Sequence, residues 1–320
     1  MRPGRAAAVA VALAVDELLG EPPSPVHPVV LMGRAISSYE NRALTLKNSL
    51  HQKLAGLVLA SALPALTFAL SRALLSLVPD RLRFPAEILL LSTTVSMRGL
   101  ERAATAVGHE IEVGTLEGAR ARVGEFVGRD TAEMTPGEVA RAAVESVAEN
   151  TSDGVVAPML YGFLLGAPGA LAYKAVNTLD SMVGHETPVH KDLGLVAARL
   201  DDAANLLPSR LTALAAAAVS GRFGHAWKVA RSHGPRTRSP NAGWAEAAFA
   251  GSLGLMLGGT NSYGGVTREG PTLGVGRPPE AGDIAGVIRL MRKACVLILL
   301  ILAGIAVLTD VPRFADARDG

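Results

Sequence analysis

Two stretches without a charged residue limit the folds open to this chain. They cover residues 54–71, which is 18 residues, and residues 294–309, which is 16 residues. A helix needs about 20 apolar residues to cross a bilayer, since each adds about 1.5 Å toward a core of about 30 Å. Arg292 and Lys293 precede the second stretch. We therefore predict two membrane spans, with the chain before the second on the cytoplasmic side and the C-terminus outside.

Three further apolar runs predict additional membrane-embedded structure. They cover residues 88–97, 154–173 and 211–220. The middle run has the length of a span but contains Pro158, Pro168 and three interior glycines. Such a segment is typical of a broken helix that lines a cavity, because irregular backbone in a membrane needs polar partners. In total we expect four to five spans.

Composition supports a membrane protein and excludes several other classes. Apolar residues make up 49% of the chain and charged residues 19%, with a mean hydropathy of +0.30. The net charge of +2 lacks the basic excess of a nucleic-acid-binding protein. Cys295 is the one cysteine, so the chain forms no internal disulfide and no zinc–thiolate cage.

Residues 99–143 have a different character from the apolar runs. Arg and Glu alternate with Ala and Val at helical spacing, which indicates amphipathic helices with solvated charged faces. Thr135, Pro136 and Glu138 form the pattern of a helix N-cap, first position and acidic first turn. We found no alternation typical of strands. The sequence thus predicts an all-α, polytopic membrane domain over residues 1–320, with a more soluble helical insertion at about 99–143.

A first acidic cluster lies just before the broken run. If the helix that begins after Thr135 continues to Asn150, Glu145 and Glu149 lie four residues apart on one face. Asp153 follows in a segment that we interpret as a turn or a new N-cap. Ionisable groups beside an apolar segment usually face a water-filled cavity. The cluster predicts a site for magnesium or a substrate amine; alternatively, the glutamates face water and Asp153 only caps the next helix.

A second cluster combines Lys174, Asn177 and Asp180, each three residues after the one before. These side chains share one helical face. The lysine can neutralise a phosphate or an activated carboxylate as a compact point charge. The alternative is an internal Lys–Asp pair that stabilises two packed helices. Gly184 should end this helix.

A third cluster has the spacing of an aspartate-rich motif. Asp201 and Asp202 lie four and three residues before Asn205, so the three side chains can converge on one ion. Arg199 and Arg210 flank them and can bind phosphate oxygens in bidentate geometry. The motif is typical of enzymes that hold Mg²⁺ against a diphosphate.

Two other features are less specific. His27 lies in a Pro-rich loop, where a lone histidine is more often structural than catalytic. Residues 251–276 contain nine glycines and can cradle a phosphate, but they match no standard nucleotide-binding loop. Gly254 and Gly258 alternatively indicate close packing of helices.

Taken in order, these segments resemble the CobD/CbiB family, the adenosylcobinamide-phosphate synthases of cobalamin biosynthesis. The resemblance covers most of the chain from residue 16 to about 276. The matching blocks are residues 16–22 (DELLGEP), 27–33, 145–158 (ESVAENTSDGVVAP), 173–182 (YKAVNTLDSM), 198–210, 239–249 (SPNAGWAEAAF) and 258–265 (GGTNSYGG).

The resemblance implies a multi-pass enzyme of the cytoplasmic (inner) membrane with its active site facing the cytoplasm. Such enzymes join aminopropanol, or its O-phosphate, to the free propionate of adenosylcobyric acid by an amide bond. ATP and Mg²⁺ are the expected cofactors, and the partners that the resemblance implies are a second copy of the chain or other late cobalamin-pathway membrane enzymes. The predicted site residues are, for catalysis, Glu145, Glu149, Lys174 and Asp180; for metal, Asp153, Asp201, Asp202 and Asn205; and for substrate or phosphate, His27, Asn150, Asn177, Arg210, Asn241, Trp244 and Tyr263.

Two other functions fit some of the same residues. A membrane prenyl- or phospho-alcohol transferase would use Asp201 and Asp202 to hold Mg²⁺, but usually carries two acidic motifs of one kind. A small-solute transporter would place polar groups among broken helices at the midplane. That fold predicts inverted repeats in the hydropathy, which we do not find.

Overall fold

The computed structural model describes residues 2–310 except 21, 23 and 185–188, and the fold in this part is mainly helical. The α-helices are α1 (Arg2–Leu19), α2 (Pro28–Ala43), α3 (Ser49–Leu77), α4 (Asp80–Ser92), α5 (Met97–Val113), α6 (Leu116–Gly124), α7 (Pro136–Asn150), α8 (Ala157–Leu165), α9 (Ala167–Val183), α10 (Leu195–Ala204), α11 (Leu206–Val219), α12 (Phe223–His233), α13 (Ala242–Leu253) and α14 (Ala281–Asp310).

Within the described residues, two helices are long and apolar enough to cross a membrane. They are α3 and the segment Ala281–Thr309 of α14. Both contain the stretches predicted to span, and both expose large apolar side chains, such as Leu66 on α3 and Leu300 on α14. Helix α11 is apolar but shorter. The two predicted spans thus have structural counterparts, whereas a count of four to five goes beyond what length and composition establish.

The apolar run after Asp153 forms a broken helix, as predicted. Helix α8 ends at Gly166, whose φ of +76° is in the left-handed region, and α9 begins at the next residue. Pro168 lies in the first turn of α9, where its missing N–H interrupts no hydrogen bond of the helix. The turn expected around Asp153 is wrong. Residues Thr151–Val156 instead continue α7 into α8 as a π-helix, a wider turn that often occurs at functional sites.

One hydrophobic core joins the amphipathic region to a candidate span. Helix α5 packs against α7 and α14, and its Ala104 and Val107 are fully buried. A Cβ at Gly108 of α5 would lie 3.4 Å from Ile284 of α14. The charged face is also not wholly solvated, because Glu101 pairs with Arg292 at 2.6 Å.

The prediction of a purely α-helical fold is wrong in one place. The glycine-rich segment forms β1 (Leu257–Gly258) with β4 (Thr272–Leu273), and β2 (Asn261–Tyr263) with β3 (Val266–Arg268), both pairs antiparallel. Strands this short have little alternation to detect in a sequence. The helix packing proposed for Gly254 and Gly258 is also wrong. Gly254 ends α13 and Gly258 lies in β1, so the two glycines do not share a helix.

Candidate functional site

Helix α7 carries the first acidic cluster and begins at the predicted cap. The N–H of Glu138 donates to Thr135 Oγ1 (3.3 Å), and the N–H of Thr135 donates to the Glu138 carboxylate (2.8 Å). These reciprocal bonds satisfy donors that the first turn of a helix leaves unpaired. The helix reaches its predicted end before the π-helical turn. Glu145, Glu149 and Asp153 therefore follow one another at four-residue spacing along continuous helical backbone.

Glu145 is held by two arginines and one backbone amide. Arg129 pairs with Oε2, Arg141 Nη1 lies 3.4 Å from Oε1, and the N–H of Gly258 donates to Oε1 at 2.6 Å. Arg129 and Arg141 also both donate to the side-chain oxygen of Asn261. The side chains of Arg129 and Glu145 are 7% and 10% exposed. Because its charge is compensated, Glu145 is better suited to position the glycine-rich segment than to bind an amine.

Glu149, one turn later, is in a different electrostatic environment. It is partly buried and makes no ion pair with any residue that the structure describes. Burial, followed by the charges of Asp201 and Glu145, raises its pKa. Glu246 on α13 lies nearby, and burial and the charge of Glu149 raise its pKa well above the usual range. Both carboxyl groups line one pocket, where a cation would favour their ionised forms.

The third cluster forms a hydrogen-bonded chain around Asp201. Asn205 Nδ2 donates to Asp201 Oδ2 at 3.0 Å, and Asn177 Nδ2 lies 3.5 Å from Oδ1. Tyr173 Oη in turn donates to Asn205 Oδ1 at 2.8 Å, which fixes the orientation of the amide. Burial raises the pKa of Asp201, although hydrogen bonds from the two amides act in the opposite direction. Asp201 and Asn205 thus lie together with Asn177 and Tyr173 of α9, while the convergence of Asp201, Asp202 and Asn205 on one ion stays a prediction.

Asp180 and Asp153 approach this chain from α9 and the π-helix. Burial and the charge of Asp201 raise the pKa of Asp180 to about 7. Burial and the charges of Glu149 and Asp201 raise the pKa of Asp153 well above its usual range. Asp180 can therefore exchange protons near neutral pH, whereas a cation bound nearby would favour the ionised form of Asp153.

Lys174 is the basic residue closest to these carboxylates along α9. Its Nζ donates to Asn177 Oδ1 at 3.2 Å. Its charge favours the ionised forms of Asp153 and Asp201, so it lies within electrostatic range of both. The predicted arrangement of Lys174 and Asn177 on one face is therefore present.

Glu149 lies within electrostatic range of carboxyl groups on three other segments. Its charge raises the pKa of Asp153, Asp180 and Glu246, which come from the π-helix, α9 and α13. A pocket of about 280 Å³ opens beside it and is lined by Glu145, Glu149, Asn150, Glu246, Gly258 and Tyr263. The three acidic clusters that lie apart in the sequence are therefore within electrostatic range of one another, and of their carboxyl groups Glu145 and Glu149 line this pocket.

The carboxylate and amide oxygens of this region are of the kind that binds a hard cation, but the described side chains are not already arranged around one position. Among the described residues, no three His, Cys, Asp or Glu side chains are arranged to hold a metal ion. Mg²⁺ usually retains several waters and binds through one or two carboxylates together with substrate phosphates. Asp153 and Asp201, with the amide of Asn205, supply hard oxygen atoms of this kind. The magnesium site stays a prediction.

Arg210, Asn241 and Trp244 form a junction of α10, α11 and α13. Asn241 Nδ2 donates to the backbone oxygen of Asp202 (2.7 Å), and its Oδ1 accepts from Arg210. The Arg210 guanidinium lies 5.0 Å from the centroid of the Trp244 ring, a cation–π contact. The Asp202 carboxylate lies 3.8 Å from Arg199. Asn241 thus connects helices with both ends of its amide.

The remaining predicted site residues are His27, Asn150 and Tyr263. His27 caps α2 by accepting from the N–H of Val29 at 3.2 Å, which supports the structural interpretation of this residue. Asn150 Nδ2 donates to the Ser146 carbonyl at 3.0 Å, within its own helix. Tyr263 lies on β2, is 42% exposed and lines the pocket.

Sequence reasoning missed Arg129, Arg141, Glu246 and Tyr173. Arg141 precedes Glu145 by four residues, so the helical spacing was a usable signal. Glu246 and Tyr173 lie inside the blocks that carry the family resemblance. Arg129 lies in the connection between α6 and α7, and no local pattern distinguishes it from its neighbours.

Comparison with known proteins places the chain in a family. The sequence model of the family described as CobD/Cbib protein matches residues 9–291. This chain belongs to the CobD/CbiB family. Among its relatives, Cobalamin biosynthesis protein CobD of Geobacter metallireducens is 41% identical over 319 aligned residues, which cover 97% of this chain and 98% of that protein.

Two further relatives carry the same name. The protein of Klebsiella pneumoniae is 38% identical, with 92% of this chain and 95% of that protein covered, and the protein of Streptococcus sanguinis is 39% identical with the same coverage. No solved structure matches this CobD/CbiB family member. The matched range contains every acidic residue described above.

Proposed function

We propose that this chain acts in cobalamin biosynthesis and forms an amide bond between aminopropanol, or its O-phosphate, and the free propionate of adenosylcobyric acid. Family membership and the names of the relatives support the pathway over the transferase and transporter alternatives. The observation that carries the chemistry is the position of Glu149, an uncompensated carboxylate among carboxyl groups of three other segments.

The reaction needs an activated acid, because a free carboxylate does not react with an amine. In the first step a propionate oxygen attacks the γ-phosphorus of ATP, which forms an acyl phosphate and releases ADP. In the second step the amine attacks the acyl carbon, the C–N bond forms, and phosphate leaves. The nitrogen must lose protons on the way, so a general base is required.

Glu149 is suited to receive that proton. Burial and the neighbouring charges raise its pKa, which makes the Glu149 carboxylate a stronger base than an exposed glutamate. Asp180, with a pKa of about 7, can pass the proton on toward solvent. Glu149 and Glu246 both line the pocket assigned to the amine, and an ionised carboxylate there attracts the ammonium form of the substrate before it reacts.

Lys174 and Arg210 are the phosphate-binding residues in this proposal. Mg²⁺, when bound at Asp153, Asp201, Asp202 and Asn205, would offset the negative charge of the ATP phosphates. Lys174 lies beside Asp153 and Asp201 and contributes a positive charge at the same place. The amides of Asn177 and Asn205 hold Asp201 in a fixed orientation, which lowers the cost of assembling the site.

The sizes of two neighbouring pockets suit the two organic substrates. The pocket of about 280 Å³ beside Glu149 suits a small amino alcohol. A second pocket of about 800 Å³ lies against Arg129, Asp130, Arg141 and Asn261 and can receive part of the much larger corrinoid. Arg129 lines both pockets, whereas its partner Glu145 lines only the smaller pocket and Arg141 only the larger one.

The membrane topology extends this proposal. The spans α3 and α14 would anchor the chain in the cytoplasmic membrane, with the active site facing the cytoplasm. The apolar runs at residues 88–97 and 154–173 and the apolar helix α11 would bring the number of spans to four or five. Cysteine labelling at loop positions, with permeant and impermeant reagents, tests this arrangement.

The decisive experiment uses membranes that contain the full chain. They are incubated with adenosylcobyric acid, Mg-ATP and, in separate reactions, aminopropanol, its O-phosphate or ethanolamine. Mass spectrometry then searches for the amide product and for ADP. We expect product with one of the amines and only when ATP is present. Absence of product with every amine would overturn the proposal.

A further inference from the structure

One face of α14 changes from basic to apolar along the helix axis. Arg289, Lys293, Val296 and Leu300 are all exposed, at spacings of four, three and four residues. This spacing places them in one row along the helix. Arg289 and Lys293 lie just before the charge-free stretch of α14, and Val296 and Leu300 lie within it.

A groove lies beside Val296 and Leu300, the apolar part of this row. It has a volume of about 410 Å³ and lies between α11 and α14, with Val219 on one side and Arg292, Lys293, Val296, Leu297 and Leu300 on the other. Val296 and Leu300 are 50% and 63% exposed. The walls are apolar, and the basic residues lie at one end only.

Arg292 and Lys293 differ in what they contact. Arg292 lies 2.5 Å from the Glu17 carboxylate and 2.6 Å from that of Glu101, so its charge is compensated within the protein. Lys293 and Arg289 form no ion pair with any part of the chain that the structure describes. The groove therefore ends at one uncompensated positive charge, Lys293, and the exposed Arg289 adds a second one turn earlier on the same row.

We propose that this groove binds one anionic glycerophospholipid of the bilayer. An acyl chain lies along Val296 and Leu300 against Val219, and the phosphate of the headgroup contacts Lys293 and Arg289. Charge complementarity favours an anionic lipid, since basic residues at the cytoplasmic end of a span attract negatively charged headgroups. A second copy of the chain is a poor fit, because stable protein interfaces bury more than about 1,200 Å² and this groove is lined by only six residues.

The test uses the full chain in vesicles of phosphatidylcholine that contain a minor fraction of phosphatidylglycerol. After gentle extraction, native mass spectrometry measures the ratio of the two lipids that remain bound. The wild type should retain phosphatidylglycerol in excess over its fraction in the vesicle. Lys293→Ala and Arg289→Ala should each reduce that preference about fivefold.

Two further variants separate the groove from surface charge in general. Leu300→Trp fills the groove and should reduce the retention of both lipids, because the acyl chain loses its place. Lys228→Ala removes an exposed lysine on α12 and should leave the ratio unchanged. Circular dichroism confirms that each variant is folded.

Three results would overturn the proposal. One is an equal lipid ratio in the wild type and Lys293→Ala. Another is displacement of the bound lipid by inorganic phosphate, which would make the site a simple anion site. The third is a dimer whose formation depends on Leu300. None of these readouts depends on amide synthesis, so the lipid site and the proposed enzymatic activity fail independently.

Discussion

The backbone N–H of Gly258 donates a hydrogen bond of 2.6 Å to Oε1 of Glu145. This bond fastens β1 to the acidic face of α7, although the two residues lie far apart in the sequence. Gly258 has a φ of +73°, and a Cβ at this position would lie 2.2 Å from the carbonyl oxygen of Pro271. Only glycine therefore allows β1 to approach both its partner strand and Glu145.

Gly258→Ala should destabilise the glycine-rich segment. The left-handed conformation alone costs about 1–2 kcal/mol for a residue with a Cβ, and the contact with Pro271 adds to this. Gly264→Ala is the matched control, since Gly264 also has a positive φ of +59° but no atom within 4 Å of the added Cβ. Hydrogen exchange over residues 257–273 should be faster in the first variant than in the second. Equal exchange in both would contradict this account of Gly258.

Glu145→Gln should lower stability by about 3–5 kcal/mol, because it leaves the buried Arg129 without its anionic partner. The comparison is Glu125→Gln, which removes an exposed pair with Arg122, and such pairs contribute little. Thermal unfolding in the same detergent measures both. A small, similar change in the two variants would mean that the Arg129–Glu145 pair is not a structural support.

Glu149→Gln should leave the protein folded but reduce kcat for amide formation about 10²–10⁴-fold, the usual contribution of a general base. The KM for ATP should change little, because this residue is assigned to the amine. Glu112→Gln, at an exposed end of α5, serves as the control for loss of a carboxylate. A near-normal kcat in Glu149→Gln would remove the residue from the mechanism.

Asp153→Asn should also reduce turnover strongly, but for a different reason. Loss of this carboxylate weakens the predicted magnesium site, so activity should recover in part when the Mg²⁺ concentration is raised. Glu149→Gln should show no such recovery. The Mg²⁺ dependence of initial rates in the two variants separates a metal-binding role from a proton-transfer role, and identical dependence would contradict the assignment.

Asp180→Asn should stabilise the protein in a pH-dependent way. The folded-state pKa of about 7 lies above the ordinary value of 3.8, so folding favours the protonated form. Stability from this group is present in acid and is lost as the pH rises from about 4 to about 7, above which the loss levels off. The advantage of the asparagine variant should grow over the same range, by at least about 2 °C in Tm.

Asp80→Asn is the control for this pH effect, since the Asp80 side chain is 91% exposed. Its Tm should differ little from the wild type at either end of the range. An Asp180→Asn advantage that is constant across the range would show that the carboxyl group is not buried among like charges.

Local features of the sequence predicted much of the helical framework. The cap at Thr135, the continuation of α7 past Glu149 and the break before α9 all follow from residues within one or two turns of each other. The short strands were not predictable in this way, because β1 pairs with β4 across a loop and each contributes only two residues.

The sequence by itself determined where apolar helices form and where acidic side chains cluster, because hydropathy and helical spacing depend on near neighbours. Only the tertiary structure decided which charges are compensated. Glu145 is neutralised by Arg129 and fixed by Gly258, whereas Glu149, one turn away, faces the carboxylates of other helices. That difference depends on contacts between distant segments, since burial and ion pairing are set by what the fold brings together.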